Sequence, residues 1–155
     1  MELSRNLRVE CVDRLTLAPP HAIESDRSVR DAVTVMRTDK VGYLLVCRNG
    51  TLTGIFTERD LLAKVLATGL PLSVPIAEVM TANPVTVGPK DPIRLAVRRM
   101  EQGGYRHLPV VGEDGRPTGV LSAKQVVHYL VEHFPATVYN QPPDPAAVPA
   151  EAEGA

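Results

Sequence analysis

The stretch Gly54-Ile55-Phe56-Thr57-Glu58-Arg59-Asp60 sets a hydroxyl and a carboxylate three residues apart, where a short apolar run gives way to a polar helix start. Two kinds of chemistry fit that spacing. In the first, Thr57 caps a helix and Asp60 reaches back to its backbone amide, a reciprocal box worth roughly 1 kcal/mol. In the second, the free amides and positive dipole end of the helix hold an anion such as a phosphate. Thr57 then adds its hydroxyl, and Asp60 accepts charge-assisted hydrogen bonds from neighbouring hydroxyls such as a ribose diol. The stretch Gly119-Val120-Leu121-Ser122-Ala123-Lys124-Gln125 has the same outline. Its last residue is neutral, so Ser122 and Gln125 keep the cap without the charge assistance, and a weak or empty site is expected there.

Arg106 and His107 form a basic pair just before Leu108-Pro109. A strand sends successive side chains to opposite faces, so both reach one site only if the strand begins between them; a surface Arg beside a partly buried His is the alternative. Arg59 and Lys124 fall in a first helical turn, the unfavourable end for a cation. A bound anion or plain solvation accounts for either. Catalytic patterns are missing: there is no Ser–His–acid spacing, nucleophile elbow, P-loop or GxGxxG. His21, His107, His128 and His133 are scattered. His128 and His133, five apart on a helix, point about 140° from each other, which suits no shared metal. The expectation is a protein that is not an enzyme, with no catalytic cofactor and no metal.

The composition narrows the class. The chain has 155 residues, a net charge of −1, 44% hydrophobic residues, 4% aromatics and no Trp. Such a surface has no global attraction for nucleic acid or anionic membrane, and few rings on which bases could stack. Cys11 and Cys47 are far apart and form no metal or redox pair. The first residues, MELSRNLRVE, carry mixed charges and no signal-peptide core, and no run approaches the length of a bilayer span. A cytoplasmic protein is expected.

The elements that would position these residues occur twice. Residues 17–46 align with 81–110 at an offset of about 64, with identities at Ala18/Ala82, Pro20/Pro84, Arg30/Arg94, Ala32/Ala96, Val33/Val97, Met36/Met100, Leu44/Leu108 and Val46/Val110. One extra residue in the second turn moves the offset to 65, and Gly50/Gly115, Thr53/Thr118 and Gly54/Gly119 then coincide. Each copy predicts a short extended segment (Ala22-Ile23; Val85-Thr86-Val87) and an amphipathic helix (Val29, Ala32, Val33, Met36; Ile93, Ala96, Val97, Met100). The helices start at Ser28 with Asp31 and at Asp91-Pro92. A strand follows (Tyr43–Cys47; His107–Val111), then a turn (Asn49-Gly50; Asp114-Gly115), a returning strand (Thr53–Phe56; Thr118–Leu121) and a closing helix. The closing helices carry Leu61, Leu62, Val65 and Leu66, and Val126, Val127, Leu130 and Val131. Pro109 interrupts its strand and is expected at an edge or a bulge. A unit of this size buries too little alone, so two units should share a core. The expected divisions are a lead at 1–9, a first unit at 10–68, a linker at 69–74, a second unit at 75–134 and a Pro/Ala-rich flexible tail at 135–155.

VMTANPVTV (79–87), YRHLPVV (105–111) and the corners GIFTERD and GVLSAKQ, in this order and doubled, resemble a tandem pair of CBS domains, the Bateman module named after cystathionine β-synthase. The resemblance covers roughly residues 10–134. It implies an α/β (α+β) fold of two pseudo-twofold β-α-β-β-α repeats packed through their sheets. It also implies a regulatory ligand, AMP, ADP, ATP or S-adenosylmethionine, in the inter-repeat cleft. Carried over residue by residue, it makes Asp60 the ribose clamp and Thr57 the phosphate-side hydroxyl, with Arg59, Arg106 and His107 near phosphate. It puts Ala22, Ile23, Gly42, Tyr43 and Ile55 on the adenine side, and Ser122, Gln125, Thr86 and Pro109 at a weaker second site. For Ile23 and Ile55 an ordinary place in the core stands beside that role. A homodimer acting on a target protein in another chain follows from the same resemblance. The reading kept beside it is a ligand-free interaction scaffold of the same fold, RNA among its possible contacts.

Overall fold

The computed structural model describes residues 10–133; the lead at 1–9 and the tail at 135–155 lie outside them. The first copy runs β1 (Ala22–Glu24), α1 (Val29–Asp39), β2 (Tyr43–Arg48) and β3 (Thr51–Thr57). Its closing helix, α2, is one α-helical turn, Glu58–Asp60, that widens into a π-helix over Leu61–Leu66. The second copy runs β4 (Thr81–Ala82), α3 (Ile93–Gly103), β5 (His107–Val111), β6 (Pro117–Ser122) and α4 (Ala123–His133).

Local chemistry sets these bounds. The Ser28 hydroxyl accepts the Asp31 amide at 3.1 Å and starts α1. Gly104, in the left-handed region at φ 70°, ends α3. Asn49 and Gly50 both take positive φ (54° and 83°), which turns β2 tightly into β3.

The two copies exchange their leading segments. The first sheet has the order β1-β2-β3-β4, so β4, which leads the second copy, pairs with the first copy's β3. Reciprocally, Ala18, ahead of β1, bridges to Val120 on β6, and the Ala18 amide donates to the Val120 carbonyl at 2.9 Å. The cores follow the same exchange. Ile76 and Val79 bury among Val29, Met36, Leu44 and Phe56, whereas Val12 and Leu15 bury among Ile93, Met100, Leu108 and Leu121. The packed bodies are therefore not the linear copies; each closes its core with a piece of the other.

One expected feature comes out differently. Val85–Val87 forms no strand: only Val87 bridges, in parallel, to Val110. In the first copy the Leu45 amide donates to the His21 carbonyl at 2.8 Å. The equivalent of Leu45 is Pro109, and that of Ser25, whose amide donates to the Cys47 carbonyl at 2.8 Å, is Pro89. Neither proline has an N–H to donate, so the ladder is cut at both ends and one bridge remains where β1 has three pairs. The register shift between Val110 and Val111 beside it belongs to the repeat rather than to the proline, since the first copy shifts at the equivalent Val46/Cys47. The closing helices present apolar residues outward: Leu62, Leu66 and Val127 are 64%, 59% and 60% exposed, and Val65 and Val126 are the members that bury. Among the described residues no helix is long and apolar enough to cross a membrane.

Candidate functional site

The corner at the end of β3 gathers side chains from three segments. Thr57 closes the expected box: its hydroxyl accepts the Asp60 amide at 3.2 Å, and Asp60 Oδ2 accepts the Thr57 amide at 3.1 Å. The Thr57 hydroxyl donates to the same Oδ2 at 3.2 Å. The exchange of leading segments brings in β4, whose Thr81 stands beside Ile55. The Thr81 hydroxyl donates to Asp60 Oδ1 at 3.1 Å. Lys64, one turn beyond Asp60 along α2, places Nζ 3.1 Å from Oδ1. Asp60 is 7% exposed and is the one buried charged residue among those described. A buried carboxylate keeps its charge only if paired and hydrogen-bonded; Thr57, Thr81 and Lys64 meet that demand from both sides of the inter-repeat seam.

Gly54 serves this crossing directly. A Cβ there would come within 3.0 Å of the Thr81 carbonyl oxygen and closer still to Met80. At the twin corner a Cβ on Gly119 would lie 2.9 Å from Leu17 Cβ and 3.1 Å from the Ala18 carbonyl oxygen. The glycine opening each corner is the gap through which the other copy's leading segment passes.

The remaining expected residues divide into groups. Gly42 and Tyr43 adjoin the Asp60 corner: Tyr43 pairs with Thr57, and the Gly42 carbonyl accepts the Glu58 amide at 3.0 Å. Arg59 is exposed on the first turn of α2. His107 opens β5 and meets Tyr43 in a tilted ring contact, centroids 5.1 Å apart and planes at 38°. These two are equivalent positions of the copies, so the pseudo-twofold axis passes between them. Burial, together with the nearby Arg106 charge, lowers the His107 pKa. Burial raises that of Tyr43. Arg106 is exposed just before β5, where its carbonyl accepts the Ala123 amide at 2.9 Å. The strand thus begins between Arg106 and His107, the condition under which both can face one site.

Ala22 and Ile23 are not brought to Asp60. In the register, Ala22, Leu45, Ile55 and Thr81 form one row across four strands, which sets β1 two strand spacings, about 10 Å, from β3. Ile23 buries in the first core. Both line a separate cavity of about 450 Å³, walled by Pro20, Glu24 and Cys47 on one side and by Arg116 and Pro117 of the other copy. Burial raises the Cys47 pKa there.

At the twin corner Ser122 and Gln125 close the same box, at 3.1 Å and 3.0 Å. Gln125 also lines a cavity of about 320 Å³ with Arg14, Thr16, Lys124 and Tyr129. The Thr86 carbonyl accepts a hydrogen bond from Arg99, and Pro109 sits inside β5 opposite Val120.

Two members of the Asp60 cluster were not singled out in the sequence. Lys64 was within reach of simple reasoning, since a residue four along a helix from a carboxylate is its neighbour. Thr81 was not, because nothing local says that β4 crosses to the other copy.

Comparison with known proteins agrees with this architecture. The CBS domain profile matches residues 12–67 and 76–132. The CBS domain-containing protein CBSCBSPB5 of Arabidopsis thaliana is 33% identical over 129 residues, 82% of this chain and 23% of that protein. A homoserine O-acetyltransferase of Methanocorpusculum labreanum is 34% identical over 113 residues, 72% of this chain and 22% of the enzyme. The chain thus spans about a quarter of the length of these curated relatives. Among solved structures, Arabidopsis thaliana CBSX2 in complex with AMP superposes with a TM-score of 0.68 at 28% identity, covering 79% of this chain and 96% of that one.

Proposed function

The chain belongs to the CBS domain family, with two copies in tandem, and from that premise we propose that it is a regulatory module whose inter-repeat seam binds an adenosine-containing ligand. In this reading Asp60 accepts the ribose hydroxyls and Thr57 with the start of α2 receives the phosphate side. Gly42, Tyr43, Arg106 and His107 complete the wall around the axis. The observation that carries it is the placement of Asp60: a buried carboxylate standing where one copy's corner meets the other's leading strand, so that a ligand touching it touches both copies. The AMP complex of CBSX2 supports the ligand class. Such a ligand favours whichever arrangement of the copies closes the seam, and passes that bias to a target protein as a population shift.

The reading extends to a homodimer through α2 and α4, whose equivalent residues Leu62 and Val127 are both exposed. Light scattering on the purified chain checks it: a Leu62→Glu, Val127→Glu variant should run at half the wild-type mass.

Thermal melting in millimolar AMP, ATP, S-adenosylmethionine or NAD tests the ligand. A ligand at 100 times its dissociation constant adds about 2.7 kcal/mol, and Asp60→Asn, which keeps an acceptor for the cap, should abolish the shift. The scaffold reading is favoured by one observation, that Thr57, Thr81 and Lys64 already engage both Asp60 oxygens. Melting points unmoved by every adenosine compound would decide for it.

A further inference from the structure

The Asp60 carboxylate has a cationic partner within its own chain. Lys64 Nζ lies 3.1 Å from Asp60 Oδ1, 3.3 Å from the Met80 carbonyl oxygen and 3.4 Å from Thr81 Oγ1. It is thus held by the first copy's corner and by the segment leading into the second. The Lys64 side chain is 43% exposed whereas that of Asp60 is 9% exposed. Of the two partners, the ammonium is the one with room to leave. We propose that Lys64 is the residue that selects phosphorylated ligands here: its ammonium neutralises Asp60 and passes to the ligand's phosphate once hydroxyls take the carboxylate. This rests on the reading of Asp60 as the ribose acceptor.

Charge balance gives the proposal its direction. A neutral nucleoside must break the Asp60–Lys64 pair and offers the displaced ammonium nothing in return. A 5′-phosphorylated nucleoside supplies the missing anion. Lys64 lies nearly two turns along α2, but its Nζ reaches back to within 3.1 Å of the carboxylate that caps the helix start where that phosphate would rest. S-adenosylmethionine carries a sulfonium and an ammonium against one carboxylate, so it brings further positive charge to the displaced lysine. The site therefore ranks nucleotides above adenosine and above S-adenosylmethionine. The twin corner follows the same logic in reverse. The equivalents of Asp60, Lys64 and Thr81 are Gln125, Tyr129 and Leu17; where the acid is gone, the ammonium and the hydroxyl are gone with it.

Isothermal titration of the full chain with AMP and with adenosine tests this, using wild type, Lys64→Met and Lys64→Arg. Wild type should bind AMP at least about tenfold more tightly than adenosine, the scale of one charge-assisted hydrogen bond. Lys64→Met should bring the two within about twofold, because adenosine gains while AMP loses, and Lys64→Arg should keep the wild-type ratio. An unchanged ratio in Lys64→Met, or a wild type that does not distinguish the two ligands, overturns the role of Lys64 and leaves the ribose reading of Asp60 standing. A wild type that binds neither ligand overturns both readings at once, which keeps the two failures distinct.

Discussion

At the first corner a carboxylate, an ammonium and a hydroxyl meet across the seam; at the second the equivalent places hold an amide, a phenol and an aliphatic chain. Both corners nevertheless close the same cap, with box distances of 3.1 and 3.2 Å around Asp60 and of 3.0 and 3.1 Å around Gln125. A neutral glutamine therefore starts a helix as well as an aspartate does. Capping explains why a polar acceptor stands three residues after the hydroxyl. It does not explain why one copy buries a charge there and recruits Lys64 and Thr81 to keep it. That surplus over the structural requirement is the physical content of the functional asymmetry.

The comparison is meaningful only if the leading segments truly cross, and the largest expected effect attacks that point. Ile76 is fully buried in the first core although it lies beyond the first copy in the chain. Ile76→Ala should cost about 2–5 kcal/mol in urea unfolding. Native-state hydrogen exchange should then show protection lost first on β2 and β3. Loss confined to β5 and β6 would mean that each linear copy packs its own leading segment, and the equivalence of Thr81 with Leu17 would dissolve.

A smaller effect separates cap from charge. Asp60→Ala removes the acceptor shared by Thr57, Thr81 and Lys64 and should destabilise by about 2 kcal/mol. Gln125→Ala removes only a cap partner, for about 1 kcal/mol. High salt should shrink the first penalty by weakening the Lys64 pair and leave the second unchanged. Equal penalties with equal salt response would make the corners the same device after all.

The repeat, the order of elements and the turns at Asn49-Gly50 and Asp114-Gly115 were legible in the sequence because they rest on local spacing and on residues that tolerate positive φ. Thr57–Asp60 was legible as a box for the same reason. What was not legible came from non-local pairing. The row running Ala22, Leu45, Ile55, Thr81 is fixed by which strand lies beside which, and it places Ala22 at the far edge from Asp60. The outward turn of Leu62 is shared by its equivalent Val127 on the regular helix α4, and apolar spacing does not announce which part of an apolar face its own core leaves uncovered.

The axis between the copies offers a pH test. Tyr43 and His107 occupy equivalent places, but only the imidazole titrates near neutrality. Burial, then the Arg106 charge, sets its folded-state pKa below the ordinary 6.5. The folded chain therefore binds this proton more weakly than the unfolded chain. The stability that results is fully present above about pH 6.5 and is lost as pH falls through the lower folded-state value. Urea midpoints should drop between pH 7 and pH 5 by less in His107→Gln than in wild type. Identical drops would place the proton uptake elsewhere.

The smallest effect in free energy is the sharpest in location. Pro109 stands where the first copy has Leu45, whose amide holds β1 through the His21 carbonyl. Pro109→Leu restores the donor, and one ladder hydrogen bond contributes about 1 kcal/mol. Losing the proline releases unfolded-chain entropy that costs about 0.4–1 kcal/mol. The two nearly cancel, so the unfolding midpoint should hardly move. The backbone should still respond: a slowly exchanging amide should appear at position 109, and Val85–Val87 should gain the strand geometry that Ala22–Glu24 already has. If the new amide exchanges freely, the missing donor is not what ends the ladder before Val87, and the asymmetry of the two leading segments must originate at Pro89 or at the Arg99 contact with the Thr86 carbonyl instead.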